Sequence, residues 1–147
     1  METKTNKKAF FNYEILEKFE AGLKLLGSEV RSIKTNNYSL EGAYVSIREG
    51  EAWLINAFIA PYQPKNMSVA YNPDRPRKLL LTQKELQYLQ GKGQEKGLTI
   101  VPLKVYNKRG QIKLEIALAK GKHRSDKREV LKKRAVERDT AREFRAR

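Results

Sequence analysis

Between Ala43 and Ile59, apolar and polar positions alternate with a period of two on both sides of a glycine. Ala43, Val45 and Ile47 interleave with Tyr44, Ser46 and Arg48, Glu49-Gly50 follows, and Trp53, Ile55, Ala57 and Ile59 continue the alternation. Successive side chains of a strand point to opposite faces, so this pattern predicts a β-hairpin closed by a tight turn. A second hairpin is predicted nearer the C-terminus. Thr99, Val101, Leu103 and Val105 run into a turn at Lys108-Arg109-Gly110, and Ile112, Leu114, Ile116 and Leu118 return with strict alternation. Pro102 has no N–H to give to a ladder, which predicts an edge position or a bulge there.

The remaining patterns are less regular. From Ala9 to Leu26 an aromatic and aliphatic run (Phe10, Phe11, Tyr13, Ile15, Leu16, Phe19, Leu23, Leu25, Leu26) is interrupted by Gly22. It predicts one long bent strand with a bulge or bend at that glycine. Ser28 is placed to cap a short helix through Ile33, with Glu29 in its positively polarised first turn. Four of the five prolines fall between Pro61 and Pro76, which predicts a long loop. Thr82-Gln83-Lys84-Glu85 has the spacing of a capping box, opening a helix that carries Leu86 and Leu89 and stops at Gly91 and Gly93. About six strands with two or three helices and no internal repeat predict a mainly β fold. A small antiparallel barrel fits best, although the pattern alone leaves a sandwich open.

Composition changes the picture after Ala119. Residues 120–147 hold 12 Lys or Arg against 5 Asp or Glu, half of the net charge of +14 in under a fifth of the 147 residues. Val130, Leu131, Val136 and Phe144 are too few to drive docking on a core. Glu129 and Lys133, like Glu143 and Arg147, have the spacing of helical ion pairs. The division expected is a body over 1–119, with a basic arm at 1–8, and a tail over 120–147 that is disordered alone and helical when bound. So large a cationic excess suits a polyanion: nucleic acid first, an anionic membrane or an acidic protein surface after it. Lys4, Lys7 and Lys8, the group Arg75, Arg77 and Lys78, and the tail are three separate cationic segments, as an extended phosphate chain would require.

Other chemistry finds little support. The absence of cysteine removes thiol catalysis, disulfides and Cys-based metal sites. The one histidine, His123, has no carboxylate within two residues to make it a general base, so no enzyme, metal or cofactor is expected. Gly91-Lys92-Gly93-Gln94-Glu95-Lys96-Gly97 lacks the spacing of a phosphate-binding loop and reads as a helix stop. The polar first residues and the lack of any apolar run near the roughly 18 needed to span a bilayer read as cytoplasmic.

Seven collinear segments carry a resemblance. They are Asn6-Lys7-Lys8-Ala9, Phe19-Glu20-Ala21-Gly22-Leu23, Gly27-Ser28-Glu29-Val30-Arg31-Ser32, Gly50-Glu51-Ala52-Trp53-Leu54, Pro73-Asp74-Arg75-Pro76-Arg77-Lys78-Leu79-Leu80-Leu81, Gln94-Glu95-Lys96-Gly97-Leu98-Thr99, and Ala117-Leu118-Ala119-Lys120-Gly121-Lys122 with Asp126-Lys127-Arg128. Together they resemble the SsrA-binding protein (SmpB) family over nearly the whole chain. The resemblance implies a barrel of the oligonucleotide-binding type and an adaptor that binds the tRNA-like part of transfer-messenger RNA. It further implies delivery to stalled ribosomes, where the tail enters the empty mRNA channel at the small-subunit decoding centre.

Carried over by position, Glu20, Leu80 and Lys113 resemble the family's RNA-binding cluster, and Asn6 matches an N-terminal position of the same kind. With the neighbouring cations, the RNA-binding set expected is Asn6, Lys7, Lys8, Glu20, Arg31, Lys34, Arg77, Lys78, Leu80 and Lys113. The tail set is Lys120, Lys122, Arg124, Asp126, Lys127, Arg128, Lys132, Lys133 and Arg134. No membrane and no small-molecule substrate is implied, and a monomer is expected. The chain departs from the family pattern at Asn36-Asn37, where a Gly and a basic residue are usual, at Asn72, where Asp is common, and at Ser125, where some members have His. Two other classes fit parts of the chain: a sequence-tolerant single-strand-binding barrel and a metal-dependent nuclease.

Overall fold

The computed structural model describes residues 4–62 and 70–122. Its elements are α1 (Lys7–Asn12), β1 (Tyr13–Leu23), α2 (Gly27–Lys34), β2 (Tyr38–Ser39), β3 (Tyr44–Arg48), β4 (Glu51–Ile55), β5 (Phe58–Ile59), β6 (Arg77–Leu80), α3 (Gln83–Gly93), β7 (Leu98–Lys108) and β8 (Gln111–Gly121). Six strands in the order β1-β6-β4-β3-β7-β8 form a closed antiparallel barrel, with β8 returning to β1. β2 and β5 make a separate two-stranded ribbon. The barrel expected from the alternation is the architecture formed, and the sandwich is excluded. Among the described residues no helix is long and apolar enough to cross a membrane.

Both hairpin turns carry two residues at positive φ, Glu49 (52°) with Gly50 (74°) and Arg109 (52°) with Gly110 (82°). That is the pattern of the two-residue turn whose twist suits antiparallel strands, and it sets the register. In the first hairpin Ile47 opposes Ala52 and Val45 opposes Leu54. Ala52 and Leu54 therefore enter the core, whereas Trp53 and Ile55, which the alternation had grouped with Ala57 and Ile59, are half-buried. Asn56, at φ 63°, breaks the strand between the two pairs and changes the phase.

β1 closes the barrel because it is long enough to serve two neighbours. It pairs with β8 from Tyr13↔Gly121 to Gly22↔Lys113, and its end pairs with β6 at Gly22↔Leu80 and Leu23↔Leu79. Gly22 is the crossing point. A Cβ there would lie 3.2 Å from the Leu80 Cβ, so the glycine serves a close approach. The bulge expected at Gly22 sits earlier in the strand, between Ile15 and Glu17, where Leu16 is turned outward. A second bulge lies between Pro102 and Lys104, as the missing proline N–H requires. It changes the parity of β7. Ile100 and Val105 belong to the barrel core with Leu114, Ile116 and Leu118, whereas Val101 and Leu103 join Ala117 and Ala119 in a second cluster beneath Ala9 of α1.

That second cluster explains the main departure at the N-terminus. The run from Ala9 to Leu26 is two elements, a helix and then a strand, because the outer face of β7 and β8 is apolar at this level and α1 covers it. The basic arm expected at 1–8 is likewise structured from Thr5 onward, with Thr5 bridging Lys104. Asn6 is buried and holds the junction. Its Nδ2 donates to Pro102 O (2.9 Å) and Leu40 O (3.3 Å), its Oδ1 accepts from Ala9 N, and its backbone N–H donates to Leu103 O. Two of these contacts go to the Pro102 and Leu103 carbonyls, at the bulge in β7. Asn6→Ala is expected to lower stability by about 1–3 kcal/mol, read from the urea midpoint, through the lost cap and the stranded carbonyls.

The other two helices differ in how closely they follow expectation. α3 opens with the capping box as anticipated: Thr82 Oγ1 accepts from Glu85 N, and Thr82 N donates to Glu85 Oε1, both at 3.2 Å. α2 starts two residues earlier than expected, with Leu26 and not Ser28 at the cap position and the Glu29 carboxylate accepting from Leu26 N (2.9 Å). β8 runs through Gly121, so the body extends past the expected boundary at 119. Lys122 is tied to α1 through its N–H to Asn12 O (3.0 Å) and its Nζ to Phe10 O (3.2 Å).

Candidate nucleic-acid interface

Where β1 crosses from β8 to β6, three of the expected RNA-binding residues come together. Gly22 pairs with Lys113 on one side and Leu80 on the other, and Glu20 lies one residue pair along the same strand face. Leu80 is 53% exposed, although the sequence places it in a run of three leucines of which Leu79 is buried. Its exposure follows from strand parity. Since Leu79 points into the barrel, Leu80 must point out.

β7 adds two residues to this group that sequence reasoning missed. Tyr106 stands opposite Lys113, and its hydroxyl donates to Glu20 Oε2. Lys108 Nζ reaches both Glu20 oxygens at 3.3 Å. The Tyr106 hydrogen bond, the largest cause, holds the Glu20 carboxyl below its ordinary value with the help of Lys108 and Lys113 and against the opposing effect of burial. Partial burial and the Glu20 charge in turn push the Tyr106 phenol well up, so it stays a donor. The outward parity of Lys104, Tyr106 and Lys108 could have flagged them, but that parity depends on the bulge at Pro102. The group thus offers an ionised acceptor, two ammonium groups for phosphate and an exposed apolar side chain for a base or sugar face.

The other expected residues separate into two kinds. Lys7, Lys8, Arg31 and Lys34 are exposed. Lys8 pairs with Glu41 at 3.2 Å, and the Arg31 guanidinium lies over the Tyr62 ring at 5.9 Å. Lys78 is partly exposed and bonded to Glu51 at 3.0 Å. Asn6 faces the interior. Arg77 is a correction: its side chain is 0% exposed and belongs to the fold, not to a phosphate-facing surface. Its Nε donates to Glu29 Oε2 (2.8 Å), Nη1 to Ala57 O (2.6 Å), and Nη2 to Pro73 O (2.8 Å) and the Tyr71 hydroxyl (3.2 Å). Arg75 Nε also donates to Glu29 (3.2 Å). Burial opposes ionisation of Glu29, but Arg75, the Leu26 N–H and Arg77 outweigh it and hold the carboxyl below its ordinary value.

Asn36 has φ 64°, which explains why a glycine is usual at that position: Asn is among the few other residues that tolerate this conformation. Lys120 belongs to β8, paired with Leu98 and Glu14, and so is part of the body together with Lys122. Arg124, Ser125, Asp126, Lys127, Arg128, Lys132, Lys133 and Arg134 lie outside the described residues.

Comparison with known proteins gives concordant results. The family model described as SmpB protein matches residues 3–146. The SsrA-binding protein of Sulfurihydrogenibium sp. (strain YO3AOP1) is 53% identical over 140 residues, which span 95% of this chain and 91% of that protein. The SsrA-binding protein of Persephonella marina is 49% identical over 140 residues with the same coverage. A solved structure described as "tmRNA-SmpB: a journey to the center of the bacterial ribosome" superposes with a TM-score of 0.69 at 42% identity, covering 88% of this chain and 94% of that one.

Proposed function

The chain belongs to the SmpB family, and from that premise we propose that it binds the tRNA-like domain of transfer-messenger RNA and delivers it to stalled ribosomes in trans-translation. The observation that supports this most is the convergence of Glu20, Lys113 and Leu80 around Gly22 on one barrel face. A site built for bare phosphate would not place a carboxylate at its centre. Glu20 is useful where the ligand presents donors, such as base amino groups or ribose 2′-hydroxyls, and folded RNA exposes these at unpaired loops. Lys113 and Lys108 supply the phosphate attraction beside it, and Lys7, Lys8, Arg31, Lys34 and Lys78 extend it over the body.

In this reading the protein is an adaptor without catalysis of its own, acting as a monomer in the cytoplasm. The tail, with Arg124, Asp126, Lys127, Arg128, Lys132, Lys133 and Arg134, probes the empty mRNA channel. The competing reading, a sequence-tolerant single-strand binder, predicts equal competition by any RNA of matched length. Measured in moderate salt, Lys113→Ala is expected to weaken binding of the tRNA-like domain by roughly 1–3 kcal/mol, as loss of a charge-assisted hydrogen bond should. Unstructured RNA should compete poorly. Unaltered affinity of the variant, or full competition by unstructured RNA, refutes the reading.

A further inference from the structure

The exposed carboxylate at the centre of a cationic patch needs an account of what holds it in place. A free glutamate beside Lys108 and Lys113 would swing between them and be neutralised as an acceptor. Here an uncharged group shares the hold on Glu20 with a lysine: the Tyr106 hydroxyl bonds one oxygen, and Lys108 spans both at 3.3 Å. Tyr106 is itself pinned. Lys104 Nζ sits 5.8 Å from its ring centroid, Lys104 pairs with Glu115 at 3.8 Å, and Glu115 pairs with Lys18 at 3.9 Å. Three adjacent strands are thereby linked across one face, from Lys18 on β1 through Glu115 on β8 and Lys104 on β7 back to Glu20.

We propose that Tyr106 is the positioning residue of this site, fixing Glu20 as an outward acceptor so that the patch prefers RNA with exposed donor groups to bare phosphate backbone. The proposal rests on the RNA-binding reading above and deepens it. A carboxylate has about four lone-pair directions. Tyr106 and Lys108 occupy the side toward β7 and leave the rest for a base amino group or a 2′-hydroxyl. Without the phenol, only the flexible Lys108 holds Glu20, the carboxylate is free to turn toward Lys113 as well, and what remains is a cationic surface that attracts any nucleic acid. The charged groups facing Glu20 are Lys108 from β7, Lys113 and Glu115 from β8, and Lys18 on its own strand, while β6 presents the apolar Leu80.

The test is Tyr106→Phe in the full-length chain, which keeps the ring and its contact with Lys104 and removes only the hydroxyl. Affinities for the tRNA-like domain and for an unstructured RNA of equal length are measured at fixed salt from pH 3.5 to 7.5, with a urea midpoint as a check on the fold at each pH. The variant is expected to match the wild-type midpoint, to bind the tRNA-like RNA about three- to tenfold more weakly, and to bind the unstructured RNA unchanged. Because Tyr106 favours the ionised form of Glu20, its loss also moves the acid limb of the tRNA-like affinity to higher pH. Lys108→Met is expected to lower affinity for both RNAs. If Tyr106→Phe leaves both the ratio of affinities and the acid limb unchanged while Glu20→Gln weakens the tRNA-like RNA, Tyr106 does not position Glu20. If Glu20→Gln itself changes nothing, the fault lies in the binding site as assigned.

Discussion

Arg77→Met is expected to lower stability by about 3–5 kcal/mol, read from urea unfolding at neutral pH, the cost of removing one partner from a fully buried ion pair. Both side chains of the pair are completely enclosed. The methionine fills much of the same volume but leaves the Glu29 carboxylate short of a charge, and it leaves Ala57 O and Pro73 O without the guanidinium donors they now have. Arg75 still reaches Glu29, which keeps the loss from being larger. The double change Glu29→Met with Arg77→Met should recover part of it, because the unpaired charge, and not the missing attraction, makes most of the cost.

The same pair gives the protein an acid-sensitive component. Glu29 is held below its ordinary value in the fold, so its contribution is present above the unfolded value near ~4.3 and is lost as pH falls through the lower folded value. Wild type should therefore lose stability steeply in that acid range. The Arg77→Met protein, whose Glu29 has lost one of the groups that favour its charge, should show a shallower decline. A variant within about 0.5 kcal/mol of wild type at neutral pH, the range typical of ordinary surface substitutions, would remove this pair from the account of the fold.

Ending the chain after Lys122 is expected to abolish tagging on stalled ribosomes while affinity for the tRNA-like RNA stays within about twofold, the size of an ordinary surface change, since the face that carries Glu20, Leu80 and Lys113 is kept whole in that chain. The choice of end point follows from the structure. Ending after Ala119 would remove Lys120 and Gly121 from β8, with their pairing to β1 and β7, and would break the two hydrogen bonds by which Lys122 holds α1. That shorter chain is expected to be less stable, so weakened RNA binding in it would say nothing about the tail. With the end after Lys122 the two roles separate. Binding is measured with purified RNA and tagging in a reconstituted translation reaction, and loss of RNA binding in this chain would show that body and tail do not divide the work as proposed.

The two long hairpins, the capping box of α3 and the bulge at Pro102 were all legible because their causes are local: alternation, a turn dipeptide, a cap three residues from its partner, a missing N–H. The family resemblance was legible for a similar reason, since it rests on short segments in fixed order. α1 was not. Phe10 and Phe11 read as part of the strand, and the helix they form instead depends on an apolar outer face made by Val101, Leu103, Ala117 and Ala119, about a hundred residues away. The uninterrupted run Ile116-Ala117-Leu118-Ala119 was a sign that both faces of β8 are covered there, but not of what covers them.

By itself the sequence determined that this is a β-rich, strongly cationic chain with an extended basic C-terminus and the segment order of one RNA-binding family, because charge, alternation and turn chemistry act within a few residues. Tertiary structure decided which charges are available. Arg77 and Lys78 are adjacent and equally cationic on paper, yet one is sealed against Glu29, 48 residues earlier, and the other reaches the surface. It also decided that Tyr106 meets Glu20, 86 residues away, since a bulge sets the parity of β7 and barrel closure sets its neighbours. The physical reason is the same in each case: a side chain's exposure and partners are fixed by strands that meet only once the barrel has closed.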